Sequence, residues 1–572
     1  MIGVDYYPEH WDFSRIEKDM NIMKKHGIEI IRIGEFMWDK LEPEEAHYDF
    51  SILDKVFEIA GKKDIKIILG TPSAVAPVWL MTKYKEEIFQ KDYTGYVKNL
   101  IGGRRHYCYN SKIYSEYVAR IVKKLAGKYG DKDNLYAWQI DNEFGGEDTA
   151  YCYCENCDRA FTEYLKYIYH SLDNLNKAWG MDFWSNVYTE FSQLETPKKT
   201  NSLYNPHQLL DFYRFSTDSI TDFAKAQIDI IRNYSDKPIT HNYMPNFTEV
   251  DYVKHSKLYD FISYDNYMPL KDFDHNFRAF QLDLMWSLKR NNFIIMEQQP
   301  GRINWKQRNY YYPAEHLIPA TIQTFLHGAK DLLYFRYRAL PYGAEQYHNG
   351  ILNHHGIAEK SPRLNIVKSL SSGTKQIPPK PKSRVAIYFD YEVKWMHKIN
   401  NVSRDFNYTL ALMDIYNALR NAGENVDFVF SDSDIEDYEI IIVPYAYYIP
   451  DEFINKLEDY KGKLILTCMS NYKTEHNHII SDKPLGWNIK DLHFEISDFG
   501  AINKEDFDYD NTNFSGDHCI EKIDILKGRS KSNWKTGILK DNPVIIKSES
   551  GNVLYIGTVL SPDSWEKFFR MY

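Results

Sequence analysis

Short β-branched and aromatic runs alternate with longer amphipathic stretches along the first two thirds of the chain. The runs are Gly3–Tyr7, Glu29–Glu35, Lys66–Thr71, Tyr136–Asn142, Pro238–Tyr243, Phe261–Tyr267, Phe293–Gln298 and Leu332–Arg338. Helical spacing fills the gaps, as in Asp12–His26 with apolar Ile16, Met20 and Met23, and in Tyr114–Tyr129. A strand followed by a helix, eight times over, predicts a parallel (β/α)8 TIM barrel. Most runs end in a polar or charged residue: Glu35, Asn142–Glu143, Asp265, Glu297, Arg336. A barrel of this type carries its active site at the C-terminal ends of its strands, so reactive groups are expected there.

The pattern changes at Gln376-Ile-Pro-Pro-Lys-Pro-Lys382, where proline and charge replace periodicity. Beyond it Arg384–Phe389, Asn425–Phe430, Glu439–Val443 and Lys463–Thr467 read as strands, with Asp405–Ala422 helical between the first two. Asn552–Gly557 reads as one more buried strand. The expected organisation is a catalytic barrel over 1–376 with an insert near 144–200, a linker at 377–381, and a smaller doubly wound α/β domain over 382–572.

Composition narrows the partners. The 572 residues carry a net charge of -10 without a basic stripe, which argues against nucleic acid. No stretch approaches 18 uncharged apolar residues, so no membrane span is expected, and no signal peptide opens the chain. Six cysteines in this length make no disulfide framework, and the cytoplasm is the expected compartment. Aromatics reach 16%, which suits sugar stacking but follows equally from AT-rich coding, so it decides nothing.

Two carboxylates stand at predicted strand ends. Glu143 closes Leu135-Tyr-Ala-Trp-Gln-Ile-Asp-Asn-Glu, and Glu297 closes Asn292-Phe-Ile-Ile-Met-Glu. Cleavage of a glycosidic bond needs such a pair flanking the sugar ring. Separately, Cys108 and Cys152-Tyr-Cys154-Glu-Asn-Cys157 place four thiols at spacings that suit a tetrahedral structural Zn2+. Four cysteine ligands leave no open position for water, which excludes a hydrolase using this metal. Cys468 follows a strand but lacks a glycine-flanked elbow, and reads as structural. Cys519 carries no partner signal.

Over residues 1–375 the chain resembles glycoside hydrolase family 42, mostly β-galactosidases. The resemblance rests on Asp5-Tyr-Tyr-Pro-Glu-His-Trp11, Arg32-Ile-Gly-Glu-Phe-Met-Trp38, Leu41-Glu-Pro, Thr71-Pro72 with Trp79-Leu80, Trp138-Gln-Ile-Asp-Asn-Glu-Phe-Gly145, and Glu297-Gln-Gln-Pro-Gly301 with Trp305. It implies Glu143 as acid/base and Glu297 as nucleophile of a retaining double displacement that releases terminal β-D-galactose. Glu143 is then expected to be protonated at rest, its pKa raised by Glu297 and apolar walls. The resemblance assigns the sugar 2-hydroxyl to Asn142, further sugar contacts to Arg104, a stacking platform to Trp305, and neighbouring hydroxyls to Glu345 and His348. Phe335 and Tyr264 are expected in the same pocket, although the family often has Trp at the Tyr264 position. The four cysteines match a family zinc site. The second domain is implied to be amidotransferase-like (flavodoxin-like) and to form a homotrimer. A small all-β third domain would begin where this chain ends. Arabinopyranosides, which lack the C6 hydroxymethyl, are an alternative substrate class, and a non-catalytic sugar-binding barrel is the reading from outside enzymology.

Overall fold

In the computed structural model, which describes residues 1–244, 246–267 and 275–571, the apolar runs become nine parallel strands. In chain order they are β1 (Ile2–Asp5), β2 (Ile30–Ile33), β3 (Lys66–Gly70), β4 (Leu135–Gln139), β5 (Ile239–Thr240), β6 (Asn242–Tyr243), β7 (Ser263–Asn266), β8 (Phe293–Gln298) and β9 (Ala329–Tyr334). Their order in the sheet is β5-β4-β3-β2-β1-β9-β8-β7-β6. Only His241 separates β5 from β6, and the first pairs with β4 while the second pairs with β7. The two halves are therefore one broken stave, and the barrel has the eight staves expected from the sequence.

Nearly every strand residue is buried, as a parallel sheet covered by helices requires. Ile30, Ile68, Ala137, Ile294, Met296 and Leu333 form one core cluster. The helix Lys112–Tyr129 shows how the helical layer forms. Ser111 caps it by accepting from Tyr114 N, and Tyr114, Tyr117, Val118, Ile121, Val122 and Leu125 make a buried face at helical spacing. Close approach fixes one glycine beneath the site: a Cβ on Gly70 would lie 2.7 Å from Glu35 Cβ.

The chain divides into two compact units. The barrel unit holds Met1–Ile168, Phe191–Lys199 and Arg214–Lys380, and the second holds Tyr169–Glu190, Thr200–Tyr213 and Pro381–Tyr572. The sequence-based boundary at the linker assigned the whole insert to the barrel. The structure instead shares it. Within the second unit, His478 Nε2 meets Ala178 O at 2.7 Å and His207 Nδ1 meets His476 O at 2.7 Å. These contacts bind parts of the insert to a loop some 270 to 300 residues further along the chain.

The second unit's parallel strands run in the order Val426–Val429, Val385–Tyr388, Ile440–Val443, Lys463–Thr467, Val553–Ile556. Counted along the chain this is 2-1-3-4-5, the flavodoxin-like order. Pro543–Lys547 and Arg529–Asn533 extend it antiparallel. A second, antiparallel sheet of Leu485–Ile489, Leu492–Gly500, Thr512–Lys527 and Glu505–Tyr509, joined by Thr558–Leu560, was not anticipated. Cys468 is fully buried and burial pushes its thiol well up, the opposite of what a nucleophile needs, so its structural reading stands.

Candidate active site

At the barrel's C-terminal mouth a cleft of about 940 Å³ collects Arg104, Arg105, Glu143, Asp265, Tyr267, Glu297, Trp305 and Glu345. Beyond β4 the backbone turns left-handed at Asp141 (φ 55) and again at Glu143 (φ 48). Non-glycine residues adopt this conformation only when surroundings hold them there. Here they do. Asp141 accepts from Ser73 Oγ (2.5 Å) and Tyr107 OH (2.8 Å). Glu143 N donates to Asn242 Oδ1 (3.2 Å), and Phe144 N donates to His241 Nε2 (3.2 Å). The residue that breaks the fifth stave thus supports the turn that presents Glu143.

Glu297 is the penultimate residue of β8 and is held from two sides. Arg32 Nη2 donates to its Oε1 at 2.7 Å, and Tyr267 OH donates to its Oε2. Arg32 is fully buried and also pairs with Asp5 (3.1 Å) and Glu35 (3.1 Å). Its planar fork thereby fixes one carboxylate orientation out of many. Glu143 faces a second cationic group. Arg105 Nη2 lies 2.6 Å from Glu143 Oε2, with Arg104 Nη2 at 3.4 Å and Asn142 Nδ2 at 3.3 Å on the same oxygen. Both guanidiniums also pair with Glu147. One carboxylate oxygen each from Glu143, Asp265 and Glu297 lies within 4.8 Å of the others.

Protonation does not follow the expectation for Glu143. Burial alone raises its pKa, but Arg105 and Arg104 more than offset burial and leave it below the ordinary value. Glu297 is raised, by burial first, against the pull of Arg32 and with a push from Glu143. Asp265 is pushed well up by burial and by both glutamates. In the free site, then, the acidic proton is not concentrated on Glu143. The sequence could not show this, because it placed Arg104 but not Arg105 beside the acid.

The sugar-binding candidates surround this centre unequally. Asn142 Oδ1 accepts from Asn242 Nδ2 (2.9 Å), which turns its own Nδ2 toward Glu143. Trp305 is half exposed and stands edge-on to Tyr267 at 4.7 Å. Glu345 faces Arg336 Nη1 at 3.5 Å, and that guanidinium sits 4.4 Å over the Tyr7 ring. His348 is fully buried, 5.1 Å from Phe335 and 5.3 Å from Trp305, and its Nδ1 lies 3.3 Å from Asn304 Oδ1. Burial and Arg336 hold its pKa down at about 3, so the imidazole is neutral. Phe335 lines the cleft, as expected. Tyr264 does not: it is fully buried and stacks on Phe293 at 6.0 Å. Strand alternation explains the correction, since Asp265 and Tyr267 take the opposite face from Tyr264.

The four cysteines converge as well. Cys108 Sγ lies 3.3 Å from Cys157 Sγ and 3.5 Å from Cys154 Sγ, and all four sulfurs, including Cys152, fall within 4.8 Å of one another. Tetrahedral Zn–S bonds of about 2.3 Å put sulfurs about 3.8 Å apart, so the donor set fits zinc. Asn110 donates to Cys108 Sγ from its backbone and to Cys157 Sγ from its side chain, each at 3.4 Å, as suits thiolate acceptors. The run Arg104–Cys108 joins the cluster directly to the two arginines of the cleft.

A family profile described as β-galactosidase, glycoside hydrolase family 42, matches residues 5–376, and one described as β-galactosidase trimerisation domain matches 383–572. The chain belongs to glycoside hydrolase family 42. It is 34% identical over 506 residues to a β-galactosidase of Thermus thermophilus, covering 85% of this chain and 78% of that protein. The crystal structure of β-galactosidase from psychrophilic Marinomonas ef1 superposes with a TM-score of 0.92 at 30% identity, covering 100% of this chain and 90% of that one. A β-galactosidase from Halorubrum lacusprofundi gives 0.94 at 28% identity, covering 100% and 89%.

Within this family 42 barrel, the cleft residues Arg105 and Tyr267, and Arg32 paired with Glu297, were assigned no role from the sequence, while Asp265 and Arg336 were placed among the strand-end polar groups without an individual role. For Asp265 and Tyr267 a signal existed, since they alternate at a strand end. Arg105 had none: its φ of 59 turns it away from the course a regular strand would give.

Proposed function

We propose that Glu143 is the general acid/base and Glu297 the nucleophile of this family's reaction, the retaining hydrolysis of terminal β-D-galactosides. The separation of the carboxylates carries the assignment. Oxygens within 4.8 Å suit the about 5–5.5 Å between carboxyl groups of retaining sites. Inverting sites need about 6.5–9.5 Å to admit a water.

Glu297 attacks the anomeric carbon while the bond to the leaving oxygen breaks and Glu143 gives that oxygen its proton. Water then attacks the same carbon, Glu143 takes the water's proton, and the bond to Glu297 breaks. Arg32 and Tyr267 aim Glu297 and lose their anionic partner as the ester forms, which restores it as a good leaving group. Asn142 donates to the 2-hydroxyl. Trp305 stacks on the sugar, while Glu345, His348 and Arg104 take its remaining hydroxyls. Sugar hydroxyls that draw Arg104 off Glu143 move the acid toward its protonated form, which reconciles the free site with the chemistry.

Cys108, Cys152, Cys154 and Cys157 would hold Zn2+, which supplies a cross-link and no open coordination position. Around it these residues tether the run that presents Arg104 and Arg105. The trimerisation-domain match over 383–572 supports a homotrimer. Thiols kept reduced for metal suit the cytoplasm, and no helix among the described residues is long and apolar enough to cross a membrane.

The test is Glu143→Gln and Glu297→Gln on galactosides with good and poor leaving groups. Glu143→Gln should lose several orders of magnitude on alkyl galactosides and far less on dinitrophenyl galactoside, which departs without a proton. Glu297→Gln should lose heavily on both. Near-wild-type turnover by either variant on an alkyl galactoside overturns the assignment.

A further inference from the structure

Asn242 opens β6 just past the break in the fifth stave, and it is fully buried. Every polar atom of its carboxamide is committed. Nδ2 donates to Asn142 Oδ1 (2.9 Å) and to Asp265 Oδ2 (2.6 Å), and Oδ1 accepts from Glu143 N (3.2 Å). One side chain therefore touches the candidate 2-hydroxyl reader, the backbone of the acid/base, and the third carboxylate of the cleft.

An amide has two ends, and rotation by half a turn exchanges a donor for an acceptor. Asn142 recognises a hydroxyl in the assigned manner only when its Nδ2 faces the cleft. That orientation requires its Oδ1 to point inward at a donor. Asn242 Nδ2 is that donor. The sense of Asn242 is fixed in turn from two directions: the Asp265 oxygen accepts from its Nδ2, and the Glu143 N–H needs its Oδ1. Reversal of Asn242 would set N–H against N–H at Glu143 and leave that backbone donor without its acceptor.

We propose that Asn242, oriented by Asp265, is a positioning residue that sets the amide sense of Asn142 and through it the recognition of the sugar 2-hydroxyl. This rests on the reading of Asn142 given above. The relay reaches no substrate itself, so the part of its effect that runs through Asn142 appears as a preference for the substrate that has the hydroxyl.

The experiment compares kcat/KM on a nitrophenyl β-galactoside with that on its 2-deoxy analogue, for wild type, Asn142→Ala, Asn242→Asp, Asn242→Ala and the double variant Asn142→Ala/Asn242→Asp. Asn242→Asp keeps an acceptor for Glu143 N–H but loses the donor to Asn142. The ratio between substrates is internal to each preparation, so partial loss of folded protein leaves it unchanged. Both Asn242 variants should lose roughly 10- to 100-fold more on the galactoside than on the 2-deoxy substrate, as expected for one transition-state hydrogen bond. In the Asn142→Ala background Asn242→Asp should lower that preference no further. Equal losses on both substrates, or losses that multiply in the double variant, overturn the proposal while leaving Asn142 as reader. If Asn142→Ala itself fails to discriminate between the substrates, the reading of Asn142 falls, and the relay with it.

Discussion

Arg105→Gln is the perturbation that most directly exposes how the acid is tuned. In the free site Arg105 Nη2 lies 2.6 Å from Glu143 Oε2, which puts the charge centres about 4 Å apart. At an effective dielectric of ~20 such a pair is worth about 4 kcal/mol in favour of the ionised carboxylate, so removing the cation raises the pKa of Glu143. Arg104 remains 3.4 Å from the same oxygen and recovers part of this, so the net change is a rise smaller than the lost pair alone would give. The sign follows from the role. Glu143 must be protonated for glycosylation, so its pKa sets the basic limb of kcat/KM, and raising that pKa moves the limb to higher pH. The glutamine retains a donor for Asn142 O, which Arg105 Nε serves at 3.1 Å. The assay is the pH profile of kcat/KM on an alkyl galactoside, where proton donation limits the rate. In the wild type the basic limb of kcat/KM should also lie below that of kcat, because only the complex has sugar drawing Arg104 away. A variant whose basic limb stays in place, with activity lowered uniformly across pH, refutes the reasoning.

The nucleophile and the metal give two further predictions. Tyr267→Phe removes one charge-assisted hydrogen bond to Glu297, worth about 1.5–3 kcal/mol, so kcat for glycosylation should fall roughly 10- to 150-fold with little change in melting temperature; an unchanged kcat would show that Arg32 alone aims the carboxylate. Protein purified without chelators should contain about one zinc per chain, and Cys157→Ser should lose it together with several degrees of melting temperature; full stability without metal would reduce the cluster to four buried thiols.

Much of the barrel was legible because its signal is local. Each stave is a short apolar run that must bury both faces, and the charged residue ending it has only one place to go, the barrel mouth. Glu143 and Glu297 could be picked out on that basis, and the four cysteines by their spacing, before any of them was seen to meet. The antiparallel sheet of the second unit was missed for the opposite reason. Leu492–Gly500 alternates buried and half-buried positions only as far as Ile496, and its pairing with Thr512–Lys527 shifts register twice, between His493 and Phe494 and between Ile496 and Asp498. A period that resets partway along a polar strand leaves no clean pattern to read.

The sequence by itself determined which residue types stand at the strand ends, and so the reaction class. It could not determine which cation each carboxylate meets. Arg32 reaches Glu297 across 265 positions and Asn242 reaches Asn142 across 100, by closure of the barrel. Arg105, next in line to the arginine that resemblance had singled out, takes the closest contact to Glu143 because a left-handed turn aims it there. Electrostatic energies vary with distances of a few ångströms between groups far apart in the chain. Strand identity is set by neighbours in sequence, but the proton affinity of the acid is set by neighbours in space.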